Sequence, residues 1–202
     1  MTPDRDYVEF SFEETGDPRN SAIEVQVPRD LDLELGAPGK IALDAPLVWA
    51  WRNPQREPRD LVHTVSGATL FSPRVQEILD AQLGPDDEVQ WLPAELVLTD
   101  GTSAPHWIAH LPVHHDVLSD DGTDWQPNGV AMRYAYSRAK LAGHHLTAHV
   151  SRPARVTVPT VGIVELGTQR GTSAYVLAAE VATALRDAGI TGARIVPAPL
   201  LP

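Results

Sequence analysis

Residues 72–96 read SPRVQEILDAQLGPDDEVQWLPAEL, and this stretch contains the clearest fold signal in the sequence. Ser72 is a residue type that caps a helix N-terminus, and Pro73 suits the first helical turn because no needed backbone donor is lost there. Apolar residues then recur at helical spacing: Val75, Ile78, Leu79 and Leu83. Gly84-Pro85 ends the pattern. The stretch therefore predicts an amphipathic helix over about 72–83.

The extended segment Val89–Leu98 follows this helix, and we expect Pro93 to interrupt it. A second unit of the same kind occupies residues 173–200, SAYVLAAEVATALRDAGITGARIVPAPL. Its apolar spacing predicts a helix over about 174–188, with Gly189 at the position of a left-handed C-terminal cap. The strands of the two units match at an offset of 104 residues and the helices at 106. An internal duplication and a chance similarity both remain open, because helix–glycine–strand units are common.

Short alternating segments predict the remaining elements. Residues 7–12 and 22–27 alternate apolar and polar side chains, as half-buried strands do. Further strand candidates are Leu47–Trp51, Trp107–Val113, Val130–Tyr136, Leu146–Val150, Arg155–Val158 and Val161–Leu166. We predict an α+β fold with a mainly antiparallel sheet of short strands and two helices, about 72–83 and 174–188. No regular βαβ alternation is present, which argues against a doubly wound nucleotide-binding fold.

The length of 202 residues predicts a single domain, 1–202. A finer division remains open, with a strand-rich N-terminal part (1–60) and a core carrying both helix–strand units (61–202).

Charge and composition exclude several classes of function. The chain has 16 Lys and Arg residues against 27 Asp and Glu residues, a net charge of −11, and no cysteine. A thiol nucleophile and a cysteine-ligated metal site are therefore excluded. The negative charge argues against binding nucleic acid or an anionic membrane surface, and it favours a basic protein partner. No signal peptide precedes the first strand, so we expect a cytoplasmic protein.

Seven of the eight histidines fall in two clusters: His106, His110, His114 and His115, then His144, His145 and His149. The spacing of the first cluster would line one face of a helix and suit a metal ion. The local pattern indicates a strand, however, where residues four apart are roughly 13 Å from each other. A metal-dependent enzyme that uses both clusters is the alternative function that these residues leave open.

An acidic loop, Ser119–Asp124, follows the first histidine cluster. It lacks the glycine and glutamate positions of a calcium-binding EF-hand. Its carboxylates and the adjacent tryptophan are our candidate partner-binding residues: Asp116, Asp120, Asp121, Asp124 and Trp125.

Several short motifs occur in an order that resembles a large family of bacterial immunity proteins from polymorphic toxin systems, once catalogued as a domain of unknown function. The similar stretches are Asp60–Leu79, Val89–Ala94, Trp107–Leu111, Val113–Ser119 and Leu185–Pro197. They include a Leu-x-Ser motif that opens a helix and an Ala-Gly-Ile-Thr-Gly closure. Residues 1–45 and 125–170 show no pattern of the family.

This resemblance implies a non-catalytic protein that binds and neutralises a cognate toxin and needs no catalytic residue, metal or other cofactor. The acidic composition fits a basic toxin domain as the partner. The oligomeric state stays open.

Overall fold

The protein was analysed as a computed structural model, which describes residues 6–13, 16–125, 131–151, 154–158, 162–166 and 170–202. Within these ranges the side chains of 32–33, 131–132, 149–151, 154–158, 162–166 and 170–174 are outside the description. The strands in chain order are β1 (Tyr7–Phe12), β2 (Ser21–Gln26), β3 (Leu47–Trp51), β4 (Leu61–Thr64), β5 (Thr69–Phe71), β6 (Gln90–Val97), β7 (Ser103–His110), β8 (Asp124–Trp125), β9 (Ala131–Arg133), β10 (Tyr136–Ser137), β11 (Leu146–Ser151), β12 (Ala154–Val158), β13 (Gly162–Leu166), β14 (Arg170–Ala178), β15 (Ala193–Pro197) and β16 (Leu200–Leu201).

The helices are α1 (Leu31–Leu35), α2 (Pro73–Asp80), α3 (Arg138–Leu141) and α4 (Ala179–Asp187), and a 3-10 turn covers Pro18–Asn20. None of the helices in the described part of the chain has the length and apolar character needed to cross a membrane.

Six strands form a closed barrel in the order β2-β3-β6-β7-β5-β4. Its interior is a core of its own, built around the fully buried Trp49, Leu70 and Leu96. Alternation along β3 and β6 explains this core, because every second side chain of a strand faces the same side.

A four-stranded sheet in the order β11-β14-β1-β15 carries the second and larger core, against which α2 and α4 pack. The barrel strands β4 and β5 serve both cores. Val62 and Leu70 face the barrel interior, whereas Leu61 and Phe71 face the other core, where Phe71 stacks on Phe10 with ring centroids 6.2 Å apart.

The α+β class is confirmed, but the prediction of a mainly antiparallel sheet is only partly right. Three strand pairs are parallel: β2 with β4, β3 with β6, and β10 with β16. These pairs join segments that are distant in sequence, and local alternation carries no information on strand direction. Pro93 also does not interrupt β6. Only β7 lies beside Pro93, since β3 begins its pairing at Ala94, so no partner strand on the β3 side requires an N–H at this position.

The first helix begins where predicted, with the Ser72 hydroxyl accepting a hydrogen bond from the Val75 N–H, but it ends at Asp80 rather than 83. The second helix was predicted too long at its start. Residues 174–178 belong to β14, which lies between β1 and β11 and is buried from Tyr175 to Ala178. Leu177 has helical spacing to Val181 by coincidence, because a central strand buried on both faces is apolar at every position.

The two helix–strand units follow the same path in space. In β5–α2–β6 the two strands are parallel and β7 lies between them; in β14–α4–β15 they are parallel and β1 lies between them. Phe71 and Pro93 both face Trp107, and at the same places Leu177 and Pro197 both face Val8. These matches reproduce both sequence offsets, so they support duplication over chance similarity.

Asp60 joins the two units just before β4. Its carboxylate accepts hydrogen bonds from the Ser72 hydroxyl (3.0 Å) and from the backbone N–H and hydroxyl of Thr191 (2.9 and 2.8 Å). Gly192 lets the chain approach this closely, because at φ +79° a Cβ would lie 2.6 Å from the Leu61 carbonyl oxygen. Burial would raise the pKa of Asp60, but the hydrogen bonds from Thr191 and Ser72 outweigh it and lower the pKa.

We expect Asp60→Ala to reduce the free energy of unfolding by about 2 kcal/mol, because three donors lose their acceptor at once. Chemical denaturation at pH 7 measures the loss. Asp100→Ala is the matched control, since the Asp100 carboxylate bonds within its own turn, to Thr102, and to no other described residue. Equal effects of the two substitutions would contradict a joining role for Asp60.

Candidate functional site

The structure brings part of the two histidine clusters together. His115 and His144 lie with ring centroids 4.3 Å apart at a tilt of 47°. His145 follows directly and leads into β11, whereas the side chain of His149 lies outside the described part of the structure. The spacing of residues along a strand argues against one shared metal site within the first cluster. The contact between His115 and His144 instead joins the two clusters.

Two histidines of the first cluster are core residues of β7. His106 is 5% exposed and its Nδ1 lies 3.2 Å from the carbonyl oxygen of Ala104, and burial lowers its pKa. His110 is 1% exposed, and its Nε2 lies 2.6 Å from the carbonyl oxygen of Gly39. His110 therefore holds the loop before β3 against the end of β7.

We call His115, His144 and His145 the histidine group. Asp87 lies at its centre, and the Asp87 side chain is fully buried. Its carboxylate accepts hydrogen bonds from the backbone N–H groups of Gly84, His145 and Leu146. The His145 Nδ1 lies 2.9 Å from Oδ2, and the His144 Nδ1 lies 3.6 Å from Oδ1. Burial would raise the pKa of Asp87, but His144 and the backbone donors outweigh it and lower the pKa to about 2.

Gly84 makes room for this arrangement. A Cβ at this position would lie 2.4 Å from the His145 Nδ1, so a larger residue would displace the imidazole. The Gly84-Pro85 pair that stops the helical pattern thus also admits the His145 ring. Sequence reasoning used this pair only as a helix terminator and missed Asp86 and Asp87, although the run of acidic residues was visible.

Chemically, the Asp87 carboxylate can hold the His145 imidazole in one orientation. It also ties loop 84–87 to residues 145–146, and His115 contacts this pair of segments through the His144 ring. A buried carboxylate that accepts from Nδ1 fixes the ring and its tautomer. Among the described residues, no group of three or more His, Asp or Glu side chains is placed to hold a metal ion.

The candidate partner-binding residues lie beside this group, since His114 and His115 directly precede Asp116. Lys140 forms ion pairs with Asp116 (3.2 Å) and Asp120 (3.7 Å) and donates to the Leu118 carbonyl oxygen. Asp121 and Asp124 are exposed. Trp125 is half-buried and packs against the larger core through β8, so little of its ring faces solvent.

Asp86 extends this acidic region, because it is exposed and its charge acts on His115. We call Asp86, Asp116, Asp120, Asp121 and Asp124 the acidic face. Lys140 brings Asp116 and Asp120 together, Asp121 and Asp124 follow shortly after in the chain, and the charge of Asp86 acts on His115 of the histidine group. The role of these residues in partner binding stays a prediction.

Comparison of the sequence with protein-family models finds no match, and comparison with curated proteins finds none either.

We expect Asp87→Asn to lower the free energy of unfolding by about 3 kcal/mol, because the amide NH₂ would face backbone donors in a buried site. Asp86→Asn, the exposed neighbour, is the matched control and should change stability little. Chemical denaturation at pH 7 gives both values. A loss of similar size in the two variants would contradict the assignment of Asp87 as the centre.

The same pair of variants tests the pH dependence. Folding lowers the pKa of Asp87 from the ordinary aspartate value of 3.8 to about 2. Its contribution to stability is therefore fully present above about pH 5 and is lost progressively as the pH falls towards 2. Between pH 5 and pH 2.5 the wild type should lose more stability than Asp87→Asn. Parallel curves for the two proteins would show that Asp87 is not held ionised by folding.

Proposed function

We propose that this chain is a non-catalytic immunity protein that binds and neutralises a cognate bacterial toxin domain in the cytoplasm. The observation that carries the proposal is the acidic face, five exposed aspartates of a protein whose net charge is −11. Lys140 pairs with Asp116 and Asp120, Arg133 lies opposite Asp124 in the β8–β9 pair, and Asp121 is exposed. A surface of this kind suits a basic protein partner.

The positions of the immunity-like motifs support the same proposal. The stretch Asp60–Leu79 and the Ala-Gly-Ile-Thr-Gly closure are more than 100 residues apart in sequence, yet Asp60 and Thr191 bond to each other. Motifs that form one structural unit occur together more readily through common descent than do unrelated short matches. The ordered set therefore carries more weight than its members taken singly.

In this proposal the protein acts by occlusion. The negative charge attracts the basic domain at long range and orients the encounter, and close contacts then cover the toxin surface. The buried Asp87 group contributes indirectly, because it fixes loop 84–87 against the start of β11 and so holds Asp86 in place.

Co-expression tests the proposal. The toxin domain encoded beside this gene should arrest growth when expressed alone, and expression of this chain should restore growth. The two proteins should also purify as a complex. A toxin that remains lethal in the presence of this chain, with no complex formed, would refute the proposal.

A metal-dependent enzyme remains the second candidate, and the contact between His115 and His144 is the observation that favours it. Elemental analysis of protein purified without chelator or metal-affinity resin separates the two. A stoichiometric transition metal that is lost in His144→Ala would support the enzyme. Protein that carries no such metal and still neutralises the toxin would support binding.

Charge reversal on the acidic face should slow association with the toxin domain. We expect Asp121→Lys/Asp124→Lys to reduce the association rate about tenfold at low salt, because charges steer the encounter. Glu77→Lys/Asp187→Lys, on the exposed faces of α2 and α4, makes the same change in net charge elsewhere. Stopped-flow or surface-plasmon measurements give the rates.

The wild-type association rate should also fall as salt increases from 50 to 500 mM, because salt screens charges beyond about 10 Å. A rate that does not depend on salt, or equal effects of the two double variants, would remove the acidic face from the recognition step.

A further inference from the structure

The barrel is closed between β2 and β4 by a very short pairing. β4 lies beside β2 only at Ser21 and Ala22, and the Val65 N–H then bonds to the Ala22 carbonyl oxygen. The chain turns back at Val65–Ala68 towards β5, while β2 continues to Gln26. On this side no backbone hydrogen bond joins Glu24–Gln26 to a neighbour within the described residues.

This open edge is also the most apolar exposed surface of the described chain. Three of its four exposed large hydrophobic residues are here: Val25 (62% exposed), Val65 (59%) and Ile23 (39%). A strand edge with free backbone groups and exposed branched side chains is a template for pairing with another strand.

Charge indicates what kind of strand fits. Exposed carboxylates occur on β2 itself, on the loop and helix that follow it, and on the approach to β3: Glu24, Asp30, Glu34 and Asp44. The Glu24 carboxylate also accepts a hydrogen bond from the Ser66 N–H (2.9 Å). Arg29 is exposed among them, and Lys40 is paired with Glu88. A second copy of this acidic chain would bring like charges together, whereas a basic segment would meet opposite charges.

We propose that the free edge of β2, residues 24–26, binds an extended segment of the toxin domain that carries apolar and basic side chains in alternation. The segment adds a strand to the barrel beyond the end of β4. Backbone hydrogen bonds hold it, its apolar side chains cover Val25 and Val65, and its basic side chains face the exposed carboxylates of β2 and the segments that follow it. This inference rests on the proposed function and names a second contact with the same partner.

Val25→Lys tests the contact, because a lysine on an open edge disfavours strand pairing and repels a basic segment. Thr183→Lys is the matched control, since it adds the same charge on the exposed face of α4, which packs on the other sheet. We expect the affinity for the co-purified toxin domain to fall at least tenfold for Val25→Lys and less than twofold for Thr183→Lys. Equal affinity of Val25→Lys and the wild type would overturn the inference.

Hydrogen–deuterium exchange of the wild-type complex is the second measurement, and it does not depend on any variant. The amides of Glu24–Gln26 should exchange at least tenfold more slowly in the complex than in the free protein. Unchanged exchange there would overturn the inference while leaving the proposed function standing. A wild-type protein that forms no complex would refute the proposed function itself. A dimer of the free chain that Val25→Lys dissociates would also overturn the inference, since the edge would then bind a second copy.

Discussion

The hydrogen bonds between Asp60 and Thr191 are the contact on which the arrangement of the two helix–strand units, β5–α2–β6 and β14–α4–β15, depends. Asp60 also accepts from Ser72 through its carboxylate and its carbonyl oxygen, so one residue fixes the start of β4, the cap of α2 and the turn after α4. The Arg74 guanidinium adds a bond from α2 to the Ala188 carbonyl oxygen at the end of α4. The barrel strands β4 and β5 also contribute Leu61 and Phe71 to the larger core, so these polar contacts act together with apolar packing, and Phe71 stacks on Phe10 across the same junction.

Around this junction the chain repeats one structural unit. In each copy two parallel strands are connected by a helix, and a third strand, β7 or β1, lies between them in the sheet. The repeat explains why similar motifs occur twice. In each unit the middle strand has one residue, Trp107 or Val8, that lies between a residue just before the helix and a proline of the following strand. The repeat also separates the structural motifs from the surfaces we assign to binding. Four aspartates of the acidic face, between Asp116 and Asp124, lie outside both units, whereas Asp86 lies in the connection between α2 and β6; the open edge of β2 lies on a strand that belongs to neither unit. A family resemblance based on the repeated units therefore carries information on the fold, and partner contacts have to be argued from loops and edges.

The proposed contacts differ in kind. The acidic face offers exposed charges, and it suits the early, long-range part of an encounter. The edge of β2 offers backbone groups and branched apolar side chains, which act only at short range. The buried Asp87 has a structural role next to the surface. Its carboxylate contacts backbone donors and two imidazoles, and the loop that it fixes exposes Asp86 to solvent.

The sequence by itself determined the local elements, because their signals depend on neighbours along the chain. Ser72-Pro73 and the apolar stripe identified the start of α2, alternation identified β1 at its observed bounds, and the short apolar run Leu47–Trp51 identified β3. Only the tertiary structure decided that 174–178 is a strand, that three strand pairs are parallel, and that His144 meets His115 and Asp87. Each of these depends on hydrogen bonds or burial between residues far apart in sequence, and a central strand, a parallel pair and a buried carboxylate acquire their character from the partner rather than from the local pattern.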